Sequence, residues 1–176
     1  VNAILGQERV IVSDIPGTTR DAIDTEVVTP EGVFKLIDTA GVRRPGKREH
    51  GVEKHSVLRV IQALDRCDVA ILVTDASTGI SAQDTHIAGL IKDRSTGVVL
   101  AANKIDLWDS VESDHESFDE QIRSRFRFLP YALMGYISAE EGRGLSKILE
   151  LAQMARIARS RRIPTGQLNS TLGKAF

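Results

Sequence analysis

The sequence predicts an α/β fold with a mostly parallel sheet and helices on both faces of that sheet. Short apolar runs at 33–37, 69–73 and 98–102 have the length and composition of strands. Helical patterns of apolar residues separate the later runs, and this alternation is typical of parallel sheets covered by crossover helices. Two of the runs end in polar side chains, which indicates a binding site at one edge of the sheet.

Length and composition narrow the class of protein. At 176 residues, with 41% apolar and 27% charged residues, the chain is long enough for one globular domain and part of another. A formal net charge of −1 argues against a protein that is basic overall. Cys67 is the single cysteine, which excludes an internal disulfide framework and a thiolate zinc cluster. No apolar run reaches the roughly 20 residues of a membrane span and no signal-peptide pattern opens the chain, so we expect a cytoplasmic protein.

The first part of the chain predicts a loop and an antiparallel hairpin. Residues 1–6 have the pattern of a helix end closed by glycine and contain no initiator Met, so we expect further residues before them. Turn formers and hydroxyls at 13–21 predict an exposed loop. The side chains of 23–28 alternate in character, a turn follows at 29–32, and an apolar run returns from 33 to 37. This pattern predicts an antiparallel hairpin over 23–37. Glycine, proline and basic residues at 41–52 predict a mobile, solvated loop.

The rest of the chain alternates helices with strands. The run 69–73 is continuously apolar, as in strands that are buried on both faces. Ser81 and Asp84 form a capping-box signature at the start of a helix. The acidic stretch 107–120 predicts a solvated loop and helix start. Further predicted elements are a helix with Val57, Ile61 and Leu64 on one stripe, a strand at 98–102, a helix around 117–127, a strand at 132–137, and a final helix with Leu145, Ile148, Leu149, Ala152 and Ala155 on one face.

The most discriminating motif is Asn103-Lys104-Ile105-Asp106, which follows the apolar run 98–102. A carboxylate at this position can accept two hydrogen bonds, from the N1–H and the exocyclic amine of guanine. Adenine offers an acceptor and one donor there, and would leave buried acceptors unpaired. Asn103 would tie the loop to its surroundings, and the aliphatic stem of Lys104 would cover the base. The motif therefore predicts a guanine site.

The second polar strand end, the Asp-Thr-Ala-Gly run at 38–41, predicts the phosphate side of the same site. Asp38 would hold a water of a bound Mg²⁺, and the Gly41 N–H would meet the γ-phosphate. Thr18 and Thr19 lie in the predicted loop, where a threonine hydroxyl could complete the Mg²⁺ shell. Trp108, directly after the guanine motif, is expected to pack inside the protein rather than to stack on the base.

Together these motifs resemble the translation-factor-like class of GTPases and, within it, the second GTPase domain of the Der (EngA) family of bacterial ribosome-assembly GTPases. The matching segments are 10–21, 38–41, 51–57, 103–106 and 138–139. The stretch from Arg43 to Val57 points to the second domain. The resemblance implies a P-loop NTPase-type fold and, for the intact protein, an enzyme that hydrolyses GTP to GDP during assembly of the large ribosomal subunit.

The resemblance also assigns residues to the site. It implies GTP or GDP contacts from a phosphate side (Thr18, Thr19, Asp38, Thr39, Ala40 and Gly41) and from a base side (Asn103, Lys104, Asp106, Ser138 and Ala139). Thr19 and Asp38 would bind Mg²⁺, and together with Gly41 they are the implied catalytic residues. Ser13, Ile15 and Thr18 would surround a K⁺ ion.

The sequence departs from the family pattern at two places. A phosphate loop of the form G-x-x-x-x-G-K-[ST], expected just before Val1, does not occur in the sequence, so we expect the first strand and this loop to be absent from the chain. Val42 stands where many GTPases have a water-orienting Gln, and the resemblance therefore implies hydrolysis helped by K⁺. The expected domains are a GTPase domain at 1–159, a linker at 160–164 and the start of a KH-like domain at 165–176.

Two other functions stay open at this point. Basic side chains at 41–52 and at the end of the final predicted helix could bind ribosomal RNA phosphates, so that the chain acts as a ribosome-binding module. Alternatively, without its phosphate loop, the chain alone could be unable to bind nucleotide. The partners implied are the large ribosomal subunit with its RNA, and the first GTPase domain and KH-like domain of the same protein.

Overall fold

The computed structural model describes residues 2–6, 11–13, 24–37, 52–108 and 111–175. In chain order the elements are α1 (Asn2–Leu5), β1 (Ile11–Ser13), β2 (Asp24–Thr29), β3 (Gly32–Ile37), α2 (Val52–Leu64), β4 (Val69–Asp75), α3 (Ala82–Asp93), β5 (Gly97–Asn103), a 3₁₀ helix (Ile105–Leu107), α4 (Val111–Arg125), β6 (Leu133–Ile137), α5 (Leu145–Ser160) and α6 (Thr165–Ala175). The strand end at 38–41 and the predicted loop at 41–52 lie outside the described residues, except for Val52, which is the first residue of α2.

The described strands form two three-stranded sheets. Strands β4, β5 and β6 are parallel and lie in that order, whereas β1, β2 and β3 form an antiparallel sheet. The predicted α/β class with helices on both faces is confirmed. Strands β2 and β3 are antiparallel because a short turn can join only antiparallel neighbours, whereas parallel neighbours need a crossover connection.

The parallel sheet has its core on β5, whose side chains alternate between the two faces. Val98, Leu100 and Ala102 pack with side chains of α2, α3 and α4. Val99 and Ala101 point to the opposite face and pack with α1 and α5. All five are at most 2% exposed. Asn103 is therefore the carboxyl-terminal residue of a strand that is buried on both faces.

The prediction that residues 69–73 are buried on both faces is wrong. Leu72 is buried, but Val73 is 44% exposed, and Val69 and Ile71 are only partly buried. Within the described residues β4 lies at an edge of the parallel sheet, with β5 as its one neighbour. The apolar pattern of the two strands is alike, and their positions in the sheet decide which one is buried.

The predicted hairpin is confirmed as β2 and β3, with Val27 opposite Phe34 and Thr29 opposite Gly32. The Thr29 hydroxyl donates a hydrogen bond to the Gly32 carbonyl at 3.2 Å across the turn. Strand β1 was not predicted, and Ser13 lies in it rather than in a loop. Three residues are too few to show an alternating pattern, so pairing with β2 decides this strand.

The antiparallel sheet joins the rest of the molecule through one carboxylate and one apolar face. Asp24 on β2 accepts hydrogen bonds from Lys35 at 2.9 Å and from Arg66, which follows α2. Phe34 and Leu36 on β3 pack against the core cluster that also contains α1 and α5. Among the described residues, the apolar side chains of β3 and the ion pair between Asp24 and Arg66 therefore attach the hairpin, while Lys35 holds Asp24 within it.

The helices agree with the predicted patterns except at one boundary. Ser81 and Asp84 form the predicted capping box, with the Asp84 N–H 3.2 Å from the Ser81 hydroxyl oxygen and the Ser81 N–H 2.9 Å from the Asp84 carboxylate. Helix α4 begins at Val111 rather than near 117, so most of the acidic stretch is helical. Acidic side chains near a helix N-terminus are favoured by the helix dipole.

The buried face predicted for α5 is confirmed. The five apolar positions predicted for the buried face of α5 are all at most 8% exposed. A further helix, α6, follows at Thr165, and its side chains at 165–174 are exposed. Within the part of the chain that the structure describes, no helix has both the length and the apolar character needed to cross a membrane.

Candidate guanine-binding site

The candidate site lies at the carboxyl edge of the parallel sheet. Asn103 is the last residue of β5 and pairs in register with Asp75 at the end of β4 and with Ile137 at the end of β6. Ser138 and Ala139 directly follow β6. Ligands of α/β proteins bind at this edge, because the loops after neighbouring parallel strands converge there. The two segments predicted for the base side, 103–106 and 138–139, are thus brought together.

Asn103 connects the two segments. Its side-chain oxygen accepts a hydrogen bond from the Ala139 N–H at 2.9 Å. Ser138 is fully buried, its N–H donates to the Arg143 carbonyl at 3.1 Å, and its hydroxyl oxygen accepts from the Glu141 N–H at 3.1 Å. The tying role predicted for Asn103 is therefore present in the structure, and the loop after β6 is held by its own hydrogen bonds.

Gly144 ends this loop and begins α5. Its φ angle is +75°, in the left-handed region that favours glycine. A Cβ atom here would collide with the Tyr136 carbonyl oxygen and would lie 3.1 Å from the Ile137 Cγ2 atom. The chain can therefore turn this closely from the Ser138 loop into α5 only because position 144 carries no side chain.

Lys104 has an unusual backbone conformation for a residue with a side chain. Its φ angle is +71°, and few residues other than glycine adopt positive φ. The side chain is half-exposed, and its ammonium group lies 2.6 Å from a carboxylate oxygen of Asp75. Backbone conformations of this kind concentrate at ligand sites, where the surrounding structure holds them.

Asp106 lies in the 3₁₀ helix and lines a cavity of about 730 Å³. This volume is in the range of small-molecule sites, about 300–1,000 Å³. The other lining residues are Asn2, Ala3, Asn103, Lys104, Leu107, Ala139 and Glu140. The cavity therefore collects residues from α1, from the guanine motif and from the loop after β6.

One carboxylate oxygen of Asp106 is buried without a hydrogen-bond partner among the described residues. The same is true of one oxygen of Asp24, which lies in the hairpin and whose other oxygen is ion-paired. An unpaired buried acceptor costs about 1–3 kcal/mol. The Asp106 side chain also lines the cavity, so a ligand that binds there and donates hydrogen bonds would lie beside this carboxylate.

Trp108 closes the 3₁₀ helix, and its predicted packing role is confirmed. Its indole N–H donates to the Ala76 carbonyl at 3.2 Å. Its ring lies 4.6 Å from that of His115 and 5.8 Å from that of Tyr136, edge-on in both cases. Burial, together with the hydrogen bond that the phenol donates to Asp119, raises the pKa of Tyr136. Tyr136 therefore stays protonated, and the three rings form a packed support behind the guanine motif.

Most residues of the predicted phosphate and metal side of the site lie outside the part of the chain that the structure describes. Ile15, Thr18, Thr19, Val42 and the segment 38–41 lie outside the described residues. Ser13 is described as part of β1. In the described part of the chain, no group of three or more His, Cys, Asp or Glu side chains could hold a metal ion. The roles assigned to these residues by resemblance stay predictions.

The sequence reasoning missed Asp75 as a neighbour of the guanine motif. The signal was present, because the apolar run 69–73 also ends on an acid, two residues later. Neighbouring parallel strands place their carboxyl ends together. Had β4 been paired with β5 from the sequence, Asp75 would have been placed beside Asn103.

The fold and the cavity together define the class. A parallel sheet with helices on both faces and a guanine-type motif after β5 are typical of P-loop GTPases. The family model described as "50S ribosome-binding GTPase" matches residues 1–104. The chain therefore belongs to the family of 50S ribosome-binding GTPases.

Curated relatives agree with this class. The chain is 48% identical to the GTPase Der of Thermomicrobium roseum, over 100% of the chain and 39% of that protein. It is 50% identical to the GTPase Der of Heliobacterium modesticaldum, over 98% of the chain and 39% of that protein. The predicted resemblance to the Der family is thus confirmed, and the chain spans less than half the length of these relatives.

Solved structures show the same fold. An Era structure in complex with MgGDPNP and part of 16S ribosomal RNA superimposes with a TM-score of 0.66 at 25% identity, over 88% of the chain and 50% of that protein. A variant of Aquifex aeolicus Era bound to GDP and AlF4⁻ has a TM-score of 0.65 at 26% identity, over the same shares of both chains. The P-loop GTPase fold expected from the sequence is confirmed.

Proposed function

We propose that this chain is the guanine-reading part of a cytoplasmic GTPase that acts in assembly of the large ribosomal subunit. The observation that carries the proposal is the buried, unpaired oxygen of Asp106 at the 730 Å³ cavity formed with Lys104 and Ala139. Guanine offers two neighbouring N–H donors to one carboxylate, whereas adenine does not. Family membership and the Der relatives support GTP as the nucleotide.

Each residue of the base side has a task in this proposal. Asp106 accepts the hydrogen bonds of the guanine edge, and such bonds to a charged acceptor contribute about 1.5–3 kcal/mol each. Asn103 holds the motif against Ala139, and the stem of Lys104 covers one face of the base. Ser138 and its hydrogen bonds keep the second loop in place.

Hydrolysis and metal binding belong to the same proposal. By resemblance, Thr19, Asp38 and Gly41 act at the γ-phosphate, with Thr18, Thr39 and Ala40 nearby. Mg²⁺ at Thr19 and Asp38 would neutralise phosphate charge, and K⁺ near Ser13 and Ile15 would assist. The solved Era structures with MgGDPNP and with GDP and AlF4⁻ support the expectation of a guanine nucleotide.

The proposal is tested by changing Asp106→Asn in the full-length protein that contains this chain. The amide keeps the shape of the side chain but offers a donor where the guanine amine also donates. We expect the Kd for GDP to rise on the order of 100-fold and binding of xanthosine diphosphate to improve, because xanthine carries an oxygen at that position. Calorimetry with both nucleotides measures the change.

Asp93→Asn is the matched control, since it makes the same chemical change at an exposed carboxylate at the end of α3. It should leave both affinities as in the wild type. If Asp106→Asn keeps the wild-type preference for guanine, the assignment of the base reader is wrong.

Ribosomal RNA binding is a second candidate function, and it is compatible with the first. Arg161 and Arg162 are exposed in the segment between α5 and α6, while Arg156 and Arg159 lie 3.7 and 3.6 Å from the exposed carboxylate of Asp68. The solved Era complex contains ribosomal RNA. Exposed guanidinium groups after α5 could contact RNA phosphates without sequence preference.

Filter binding of ribosomal RNA fragments to the full-length protein, at rising salt and with or without GDP, tests this role. Contacts by the two arginines predict that Arg161→Gln with Arg162→Gln lowers the affinity and flattens its salt dependence. An unchanged salt slope would place the RNA contacts elsewhere. Interactions with a KH-like domain beginning at 165 and with a first GTPase domain are part of the same proposal.

Whether the 176-residue chain by itself binds nucleotide is a separate question. Calorimetric titration of the isolated chain with GDP, alongside a thermal unfolding curve, answers it. A cooperative transition without GDP binding would identify a folded chain that needs further residues of the protein to hold the phosphates.

A further inference from the structure

The end of β4 contacts the guanine motif at several points. Asp75, the last residue of β4, holds the Lys104 ammonium at 2.6 Å with one carboxylate oxygen. Its other oxygen accepts from the N–H and the hydroxyl of Ser77, at 3.0 and 2.6 Å. Hydrogen bonds from Lys104 and Ser77 outweigh the effect of burial and hold the pKa of Asp75 below 3.8. The carboxylate is therefore ionised at neutral pH and has partners on both oxygens.

The next residue adds two backbone contacts. The Ala76 N–H donates to the Asn103 carbonyl at 2.8 Å, and the Ala76 carbonyl accepts from the Trp108 indole at 3.2 Å. Residues 75–77 thus contact the motif at its first residue, at Lys104 and at the tryptophan that follows it. Asp106 lies between these contacts, in the 3₁₀ helix.

The Lys104 side chain needs a partner to hold it in one conformation. It is 50% exposed and has a flexible stem, and fixing such a side chain costs conformational entropy. A side chain that is already held before binding does not meet this cost when the ligand arrives. Asp75 is 18% exposed and is fixed by Ser77, so it can hold the lysine in place.

We propose that Asp75 is a positioning residue for nucleotide binding, which holds Lys104 so that its aliphatic stem covers the face of the base. This inference rests on the proposed guanine-binding function. It deepens that function, because it places the determinant of the lysine conformation on β4, outside the motif that reads the base.

The inference makes a specific prediction about bases. The stem of Lys104 covers the ring face and does not contact the exocyclic amine that Asp106 would bind. Loss of Asp75 should therefore weaken binding of guanosine and inosine diphosphates by the same factor. Loss of the Asp106 acceptor should instead change the ratio of the two affinities, since inosine lacks the amine.

The test is a double-mutant cycle in the full-length protein, with Asp75→Asn, Lys104→Met and both changes together. Calorimetry with GDP and with IDP gives the Kd values. We expect Asp75→Asn to raise both values about threefold to tenfold, as the loss of a partly exposed, pre-organising ion pair should. In the Lys104→Met background the same change should add less than about 1.5-fold, because the methionine has no charge to hold.

Asp68→Asn is the matched control, at the residue before the same strand. Asp68 directly precedes β4 at the opposite edge of the sheet, where it lies near Arg156 and Arg159. Its replacement removes an ion-pair partner from the β4 region without touching the guanine motif. Both nucleotide affinities should stay at the wild-type value.

Each outcome decides between the two proposals. Suppose that the wild type binds GDP. Three results would then overturn the positioning role alone: an unchanged Kd for GDP in Asp75→Asn, an equal effect of Asp75→Asn with Lys104 and with Met at position 104, or a changed ratio of the Kd values for GDP and IDP. Absence of GDP binding to the wild type would overturn the proposed function. If Asp75→Asn unfolds the protein, Ser77→Ala decides: a loss of about twofold for both nucleotides supports the role, and no loss overturns it.

Discussion

The two sheets of this protein differ in how much of each is exposed to solvent. In the parallel sheet, β5 runs between two strands and two layers of helices, and its residues 98–102 are at most 2% exposed. In the antiparallel sheet, Val27 is fully buried while Val33 and Val28 are 66% and 37% exposed. Parallel strands need crossover helices that cover the sheet, whereas a hairpin can leave one face to water.

The difference explains where the candidate site lies. Asn103 has a rigid position, because it ends the most buried strand of the described chain. Its oxygens also accept hydrogen bonds from the N–H groups of Ala76 and Ala139, which lie just after β4 and β6. The hairpin is attached by a smaller apolar contact through Phe34 and Leu36 and by the ion pair between Asp24 and Arg66. A base pocket needs fixed acceptors, and the parallel sheet supplies them.

The largest expected contrast between the sheets comes from one substitution made in each. Val99→Ala removes two carbons from a fully buried site, and we expect it to lower the free energy of unfolding by about 2.5 kcal/mol, from lost burial plus a cavity. Val33→Ala makes the same change at a largely exposed site and should cost about 0.5 kcal/mol or less. Urea denaturation of both variants measures the difference. Equal losses would show that the hairpin is as tightly packed as the parallel sheet.

A second contrast concerns glycine in the two regions. Gly144→Ala adds both left-handed backbone strain and a clash with the Tyr136 carbonyl, and should cost about 2 kcal/mol. Gly32, at the hairpin turn, has a φ of +140° but nothing within 4 Å of an added Cβ. Gly32→Ala should therefore cost less, about 1 kcal/mol. Thermal unfolding of the two variants tests the order, and the reverse order would contradict the proposed tight packing behind the Ser138 loop.

The smallest effect is expected at the two ion pairs of Asp24, one within the hairpin and one to Arg66. The hydrogen bond from Lys35, followed by the contacts with Arg66, lowers the pKa of Asp24 below 3.8 despite opposing burial. A group with a lowered folded-state pKa stabilises the protein above its unfolded-state pKa, and this contribution is lost as the pH falls through the folded-state value. Asp24→Asn should thus cost less than about 1 kcal/mol at pH 7, since the basic partners are exposed.

The stability difference between wild type and Asp24→Asn, measured by urea denaturation from pH 7 downward, should stay constant to about pH 4.5 and shrink below 3.8. Asp65→Asn, which removes an exposed ion pair to Arg94 elsewhere on the surface, is the control for a general charge effect. A difference that grows on acidification would have the wrong sign for this mechanism.

Local patterns sufficed for most elements and for the two segments of the base side that the structure brings to one edge of the sheet. The capping box at Ser81, the buried stripe of α5 and the hairpin each depend on residues a few positions apart, so propensity and periodicity can reveal them. Propensity and periodicity failed at β1, because a three-residue strand is determined by its pairing with β2 and not by its own pattern. They also failed at the start of α4, where the acidic residues suggested a loop. The phosphate-side residues, among them Asp38, stay predictions.

The sequence by itself determined the order of helices and strands and the motif from Asn103 to Asp106, because these follow from short-range periodicity and side-chain chemistry. Only the tertiary structure decided that β5 rather than β4 is the buried centre, since two equally apolar strands differ only in their neighbours. The same holds for Asp75 beside Lys104 and for the unpaired oxygen of Asp106. Such contacts join residues far apart along the chain, and only packing brings them together.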